Sequence, residues 1–244
     1  MPITLWHRRP GNMTDSVTVV TGSRKGIGRF LAEHALAVGG IVVGCSRDES
    51  DLRHDHYEHC RVDISDESAV IQFFSNVRKK HGRVDHLINC AGVASMNHSL
   101  LTPGKSFRAI YETNVFGTFY CSREAAKLMQ KRHYGRIVNF STVAVPLKLD
   151  GEAAYVSSKA AVVALTEVMA RELAPFGITV NALGPTPIET DLIRGVPKDR
   201  IDTLVGRQAI PRFGTFDDVA NVIDFFLSCD SGFVTGQTAY LGGV

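Results

Sequence analysis

Val17-Thr18-Val19-Val20-Thr21-Gly22-Ser23-Arg24-Lys25-Gly26-Ile27-Gly28 passes from a β-branched run, through three glycines, into a stretch of helical spacing over 27–38. A strand that turns on glycine into a helix is the opening of a βαβ unit. The glycines let the backbone pass close to a pyrophosphate, and the helix N-terminus offers unpaired N–H groups to it. The spacing is G-x-x-x-G-x-G rather than the commoner G-x-G-x-x-G. Its weight comes from the strand before it and the helix after it. A plain tight turn is the competing reading of the glycines alone.

Beyond this loop the same alternation continues. β-Branched or apolar runs occur at 41–45, 84–89, 136–141 and 178–183, and helical spacing at 67–80, 107–131 and 152–174. Several of the runs are apolar without alternation, as strands covered on both faces must be. Strands alternating with helices predict an α/β fold: one Rossmann-like, doubly wound parallel sheet with helices on both faces and the ligand site at the carboxyl ends of its strands. No repeat or linker divides the 244 residues, so residues 13–244 are expected to form one dinucleotide-binding catalytic domain. Residues 1–12, rich in Arg, Pro and His, read as a loose extension, with Met13 as a second possible start.

Composition excludes several classes. The formal charge of +2 is too small to predict a nucleic-acid surface. No apolar run reads as a membrane span and residues 1–12 lack a signal-peptide core, so no membrane association is expected. The five cysteines are odd in number and form no C-x-x-C, which predicts free thiols and a cytoplasmic location. His54, His56 and His59 fit no zinc spacing and are expected to lie in a solvated loop, so no metal is predicted.

Cofactor choice is expected after the second strand, where an acidic residue would bond a ribose 2′-hydroxyl. Here Ser46-Arg47 occupies that place and Arg24 lies in the glycine loop, two guanidinium groups suited to a 2′-phosphate. NADP(H) is therefore the predicted cofactor, against a reading of both as solvated arginines, with Asp48 as a complication. Tyr155-Val156-Ser157-Ser158-Lys159 places a phenol and an ammonium one helical turn apart. A nearby ammonium favours phenolate and would lower the tyrosine pKa. By itself such a pair more often means a packed aromatic beside a solvated charge.

Taken in order, these features resemble the short-chain dehydrogenase/reductase superfamily, from Thr21 to nearly the C-terminus. The glycine loop (Gly22, Ser23, Arg24, Gly26, Ile27, Gly28) and Val62-Asp63-Ile64 are similar to its cofactor-binding segments, with Asp63 implied to contact the adenine. Asn89-Cys90-Ala91-Gly92 resembles its N-N-A-G turn, with cysteine in the second place. Thr113-Asn114-Val115 resembles the segment whose asparagine holds a catalytic water. Asn181-Ala182-Leu183-Gly184-Pro185 and Ile188-Glu189-Thr190 resemble the segment at the nicotinamide end. The resemblance implies that Tyr155 protonates a carbonyl oxygen as hydride arrives, that Lys159 binds the ribose and lowers the tyrosine pKa, and that Asn114 links Lys159 to solvent through water.

The fourth member of the implied set is a serine 13 residues before the tyrosine, a place held here by Thr142, with Ser141 as the alternative after a local shift. A second departure is Pro185-Thr186-Pro187, where the superfamily has Pro-Gly; a stiffer floor under the nicotinamide is expected. Residues 47–61 are too few for a full helix between the second and third strands. The segment 191–211 mixes aliphatic and charged residues and is expected to close over the substrate.

Within the superfamily the pattern is closest to the β-ketoacyl-[acyl-carrier-protein] reductases, supported by Arg212-Phe213-Gly214 and Thr235-Gly236-Gln237. The implied reaction is NADPH-dependent reduction of a 3-oxoacyl thioester in fatty-acid or specialised polyketide synthesis. The basic cluster 131–136 is a candidate dock for acyl carrier protein or simply a cationic helix end. A homotetramer is implied, paired through apolar residues 115–119 and 160–165, which burial within the subunit explains equally well. Two other readings stay open: a reductase or dehydrogenase of a sugar, polyol or other small alcohol, and a cofactor-binding sensor or scaffold that has lost catalysis.

Overall fold

The computed structural model describes residues 15–190, 193 and 196–244. The expected N-terminal extension and the alternative start at Met13 lie outside them, as do Asp191, Leu192, Arg194 and Gly195 of the expected substrate-covering segment. The chain forms one seven-stranded sheet, every pairing parallel: β1 (Val17–Thr21), β2 (Ile41–Ser46), β3 (Tyr57–Arg61), β4 (His86–Asn89), β5 (Gly135–Phe140), β6 (Ile178–Gly184) and β7 (Thr238–Tyr240). Their order is β3-β2-β1-β4-β5-β6-β7. The chain reverses its direction of winding between β1 and β4, and a doubly wound sheet opens its ligand crevice at that switch point.

The helices cover both faces. On one, α2 (Glu67–His81), α4 (Thr118–Met129) and α6 (Ala153–Leu173) enclose a core that includes Val19, Phe73, Phe74, Leu87, Met129 and Ile137. On the other, α1 (Gly26–Ala37) and α8 (Phe216–Leu227) bury Leu31, Leu36, Val138, Ile223 and Phe226. The central strands β1, β4, β5 and β6 are buried at every position, which is why their sequences do not alternate. α2 starts on Asp66, whose carboxylate accepts from Ser68 and Ala69 N–H, and ends on Gly82 in the left-handed region at φ 70°. α8 starts in a reciprocal capping box between Thr215 and Asp218.

Four expectations change. His59 lies within β3, not in a solvated loop; Tyr57-Glu58-His59-Cys60-Arg61 is an edge strand, and one polar face conceals it from pattern reading. The helix expected over 107–131 begins earlier, as α3 (Gly104–Tyr111), and is interrupted by a π-helical segment at Glu112–Gly117 before α4. A short helix, α5 (Ala144–Leu147), follows β5, and part of the substrate-covering segment is a helix, α7 (Lys198–Gly206). Contrary to the expectation of no candidate span, Ala153–Phe176 is long and apolar enough to cross a membrane by length and composition. It packs here as the core helix against β6, burying Ala154, Val162, Met169 and Ala170. All five cysteines are free thiols.

Candidate active site

The carboxyl ends of the strands open on a cavity of about 680 Å³, lined by Ile27, Thr142, Tyr155, Pro185, Ile188 and Thr190 among the residues singled out in the sequence. The glycine loop reaches this cavity through Ile27. Gly22 has φ +72°, and a Cβ built on it falls 2.8 Å from the Ala91 Cα; one built on Gly28 falls 2.4 Å from the Gly22 carbonyl oxygen. A side chain at Gly22 would part the loop from the turn after β4, and one at Gly28 would push the start of α1 off the loop itself. α1 begins at Gly26, and its N-cap residue Lys25 makes no side-chain cap hydrogen bond. A narrow glycine cradle ahead of an uncapped 12-residue helix is the shape and charge that a pyrophosphate needs, and a nicotinamide dinucleotide fits these residues.

The catalytic candidates come together from three elements. Tyr155 and Lys159 stand one turn apart on α6. Lys159 is 4% exposed, and its ammonium donates to the Phe140 carbonyl at 2.8 Å; burial pulls its pKa down to about 8. Burial pushes the Tyr155 phenol up to about 12; the Glu152 carboxylate adds to the rise, and a side-chain hydrogen bond with Thr142 opposes it. This is opposite to the lowering expected from Lys159: desolvation of the phenol dominates and the Glu152 carboxylate acts in the same direction.

Thr142 follows β5 and lines the cavity, and its hydroxyl also accepts from Ala144 N–H at 3.2 Å. Ser141, one residue earlier and 2% exposed, turns the other way, toward the Lys159 carbonyl (3.5 Å) and Tyr240. Asn114 sits in the π-helical segment, fully buried. Its Oδ1 accepts from Val93 N–H (2.9 Å), and its Nδ2 donates to the Val93 carbonyl (2.9 Å) and the Ser158 hydroxyl (3.0 Å). Ser158 in turn donates to the Tyr155 carbonyl at 2.7 Å. A Cβ built on Gly92 would lie 3.3 Å from both Asn114 Oδ1 and Lys159 Nζ, so these two polar ends converge over that glycine.

Not every residue singled out faces the cleft. Ser23 is buried and its hydroxyl meets the Tyr57 hydroxyl at 3.1 Å. Asn89 turns its amide into the core, donating to Ser122 and Asn139 at 2.9 Å each, and acts as a clamp between β4, α4 and β5. Ile64 is buried against Gly117. Asp63 is exposed beyond β3 and accepts from Ser65 N–H and hydroxyl. Ser46 donates to the Asp48 carbonyl at 2.7 Å, Arg47 is exposed, and Arg24 pairs with Asp48 at 3.5 Å. In the basic cluster, Arg132 pairs with Asp85 (2.7 Å), and the Arg136 guanidinium lies 4.6 Å over the Tyr134 ring.

The far wall holds Ile201, Leu204 and Arg207, from the segment expected to close over the substrate, and Met96, Leu149 and Glu152, which pattern reading missed. Of those three only Glu152 carried a signal, one turn before Tyr155. Thr186, the departure from Pro-Gly, is buried and hydrogen-bonds Gln208, tying the cavity floor to the chain just after α7.

Residues 22–243 match the family model described as enoyl-(acyl carrier protein) reductase. The chain is 29% identical over 238 residues to the 3-oxoacyl-[acyl-carrier-protein] reductase FabG of Escherichia coli strain K12, covering 95% of this chain and 98% of that one. It is 32% identical to the short-chain reductase protein NovJ of Streptomyces niveus, covering 94% and 93%. Among solved structures, the ligand-free aldohexose dehydrogenase of Thermoplasma acidophilum superposes with a TM-score of 0.87 at 30% identity, over 96% of this chain and 95% of that one. The family implies a nicotinamide dinucleotide as cofactor. With its seven-stranded parallel sheet, glycine cradle and full-length match, the chain is an oxidoreductase and belongs to the short-chain dehydrogenase/reductase superfamily, in the family described as enoyl-(acyl carrier protein) reductase.

Proposed function

We propose that the protein is an NADPH-dependent carbonyl reductase that converts a 3-oxoacyl thioester to its 3-hydroxyacyl form. The observation that carries the reading is that Tyr155 and Thr142 line the wall of one cavity, with Lys159 buried one helical turn from Tyr155. A bound nicotinamide supplies the hydride equivalent that reduces the carbonyl carbon. The glycine loop and the N-terminus of α1 hold its pyrophosphate, Arg24 and Arg47 its 2′-phosphate, and Lys159 its ribose.

With a pKa near 12, the Tyr155 phenol keeps its proton at neutral pH and can donate it to the carbonyl oxygen as that oxygen becomes an alkoxide. Thr142 donates a second hydrogen bond to the same oxygen, as one arm of an oxyanion hole does. Lys159, at about 8, is the more acidic partner, so a tyrosinate is refilled from the lysine side. Asn114 fixes the turn at Val93 and, through Ser158, the Tyr155 end of α6. The aliphatic wall of Met96, Leu149, Ile201 and Leu204 suits an acyl chain and excludes water.

Acyl carrier protein as the carrier, a role in fatty-acid or polyketide synthesis, a cytoplasmic homotetramer and a single catalytic domain over 13–244 belong to the same proposal, supported by the similarity to 3-oxoacyl-[acyl-carrier-protein] reductases. A second reading, dehydrogenation of a sugar or polyol, is favoured by the polar Glu152 and Arg200 in the same cavity and by the aldohexose dehydrogenase among the similar structures. The deciding assay follows NADPH oxidation with a short 3-oxoacyl thioester beside NADP⁺ reduction with a panel of aldoses and polyols. Turnover of the thioester alone is the expected result. Turnover confined to sugars overturns it in favour of the second reading, and NADPH binding with no turnover of either favours a sensor.

A further inference from the structure

We propose that His59 is a positioning residue that gives the enzyme its preference for a dinucleotide bearing a 2′-phosphate, by fixing the loop that carries Arg47. This inference rests on the NADP(H) reading of Arg24 and Arg47. Neither Tyr57 nor His59 belongs to any motif that marks the family here.

The network has one direction. The Asp48 carbonyl can only accept, and it lies 3.0 Å from His59 Nε2. The Ser46 hydroxyl already gives its proton to that same carbonyl at 2.7 Å, so it too must accept from Nε2, at 3.1 Å. Nε2 therefore carries the hydrogen, assigned from its partners. In the neutral ring Nδ1 is then an acceptor, and the Tyr57 hydroxyl donates to it at 3.0 Å. With its proton committed, Tyr57 accepts from the Ser23 hydroxyl at 3.1 Å. A chain of donors thus runs from the glycine loop at Ser23, through Tyr57 and His59, to the backbone of Asp48.

Gly44 of β2 is what lets it form, because a Cβ built there would meet Ser23 Oγ at 2.2 Å and Tyr57 Oη at 2.5 Å. The parallel register sets Gly44 opposite His59, beneath the chain.

The two ends of this chain are the two segments that carry the arginines. Arg24 follows Ser23, and Arg47 lies between Ser46 and Asp48. The loop is held by its backbone: His59 and Ser46 grip the Asp48 carbonyl, and Arg61 Nε donates to the Arg47 carbonyl at 3.4 Å. The Arg47 side chain is exposed, and no hydrogen bond or ion pair engages its guanidinium among the described residues. A fixed backbone under a free guanidinium is preorganised for a forked bond to a phosphate. A ribose 2′-hydroxyl draws little from such an arginine. Loosening the loop should therefore cost NADPH much more than NADH.

The test measures direct binding of NADPH and of NADH to the full chain by nucleotide fluorescence, for wild type, His59→Leu, His59→Gln, Tyr57→Phe and Arg47→Ala. Wild type is expected to favour NADPH. His59→Leu should weaken NADPH on the order of tenfold and NADH less than about twofold. His59→Gln, which keeps a donor for Asp48, should recover much of the preference. Tyr57→Phe should shift the ratio in the same direction as His59→Leu, and carries the test if the latter does not fold. Equal weakening of both nucleotides, or an unchanged ratio while Arg47→Ala loses NADPH selectively, overturns the role of His59 and leaves the NADP(H) reading standing. A wild type that favours NADH, with Arg47→Ala silent, overturns the reading itself and the inference with it.

Discussion

The Lys159 ammonium is anchored on the carbonyl of Phe140, the last residue of β5, at 2.8 Å, and is nearly sealed from solvent there. Burial holds its pKa at about 8 in the folded protein, below the ordinary 10.5. Between those values the unfolded chain binds a proton that the folded chain has released. Stability contributed by this group is therefore lowest below pH 8 and rises as pH climbs from about 8 toward 10. The shift corresponds to a swing on the order of 3 kcal/mol. Tyr155 acts in the opposite sense between 10 and about 12, where the folded phenol keeps a proton that the unfolded one loses. Denaturant melts of wild type should gain midpoint between pH 8 and 10, and Lys159→Met should lose that gain. An identical slope in the variant would mean that the ammonium is solvated.

Ser141 and Thr142 make a second test possible because they are neighbours that face apart. If Thr142 is the donor to the substrate oxygen, Thr142→Val should lower kcat roughly 10²-fold with nucleotide affinity unchanged, and Thr142→Ser should retain most activity. Ser141→Ala should cost stability at the Tyr240 contact and leave kcat within a few-fold. The reverse pattern in kcat would assign the role to Ser141.

Asn114 holds both backbone groups of Val93 from within the π-helical segment Glu112–Gly117, a kind of helix interruption that recurs at functional sites. Asn114→Leu leaves the Val93 N–H and C=O without their partners, which should cost about 2–4 kcal/mol in a chemical melt. Steady-state kinetics should lose kcat more than affinity for the nucleotide, since Val93 and Ser158 adjoin the reacting end. A variant with wild-type stability would show that Val93 finds other partners.

How much of this was legible in the sequence follows from burial. β1, β2, β4, β5 and β6 are enclosed by helices, and their β-branched runs announce them. β3 lies at an edge, with Tyr57, His59 and Arg61 making polar contacts, so it reads as a loop; β7 has three residues and no pattern. The π-helical offset leaves apolar spacing nearly unchanged and is invisible to periodicity. The motifs located the backbone of Ser23 and Asn89 correctly at the strand ends. They did not reveal that Tyr57 draws the first side chain away from the cleft, or that Ser122 and Asn139 draw in the second. Such directions depend on partners far along the chain.

Proton delivery by Tyr155 is tested by a single-turnover reaction of enzyme-bound NADPH with a short 3-oxoacyl thioester, for wild type and Tyr155→Phe. The substitution removes one hydroxyl and no ring contact. Wild type should oxidise the nucleotide and form the 3-hydroxyacyl thioester, while Tyr155→Phe binds NADPH equally and slows that step on the order of 10³-fold. Equal rates in the two proteins, with equal nucleotide binding, would contradict proton delivery by Tyr155.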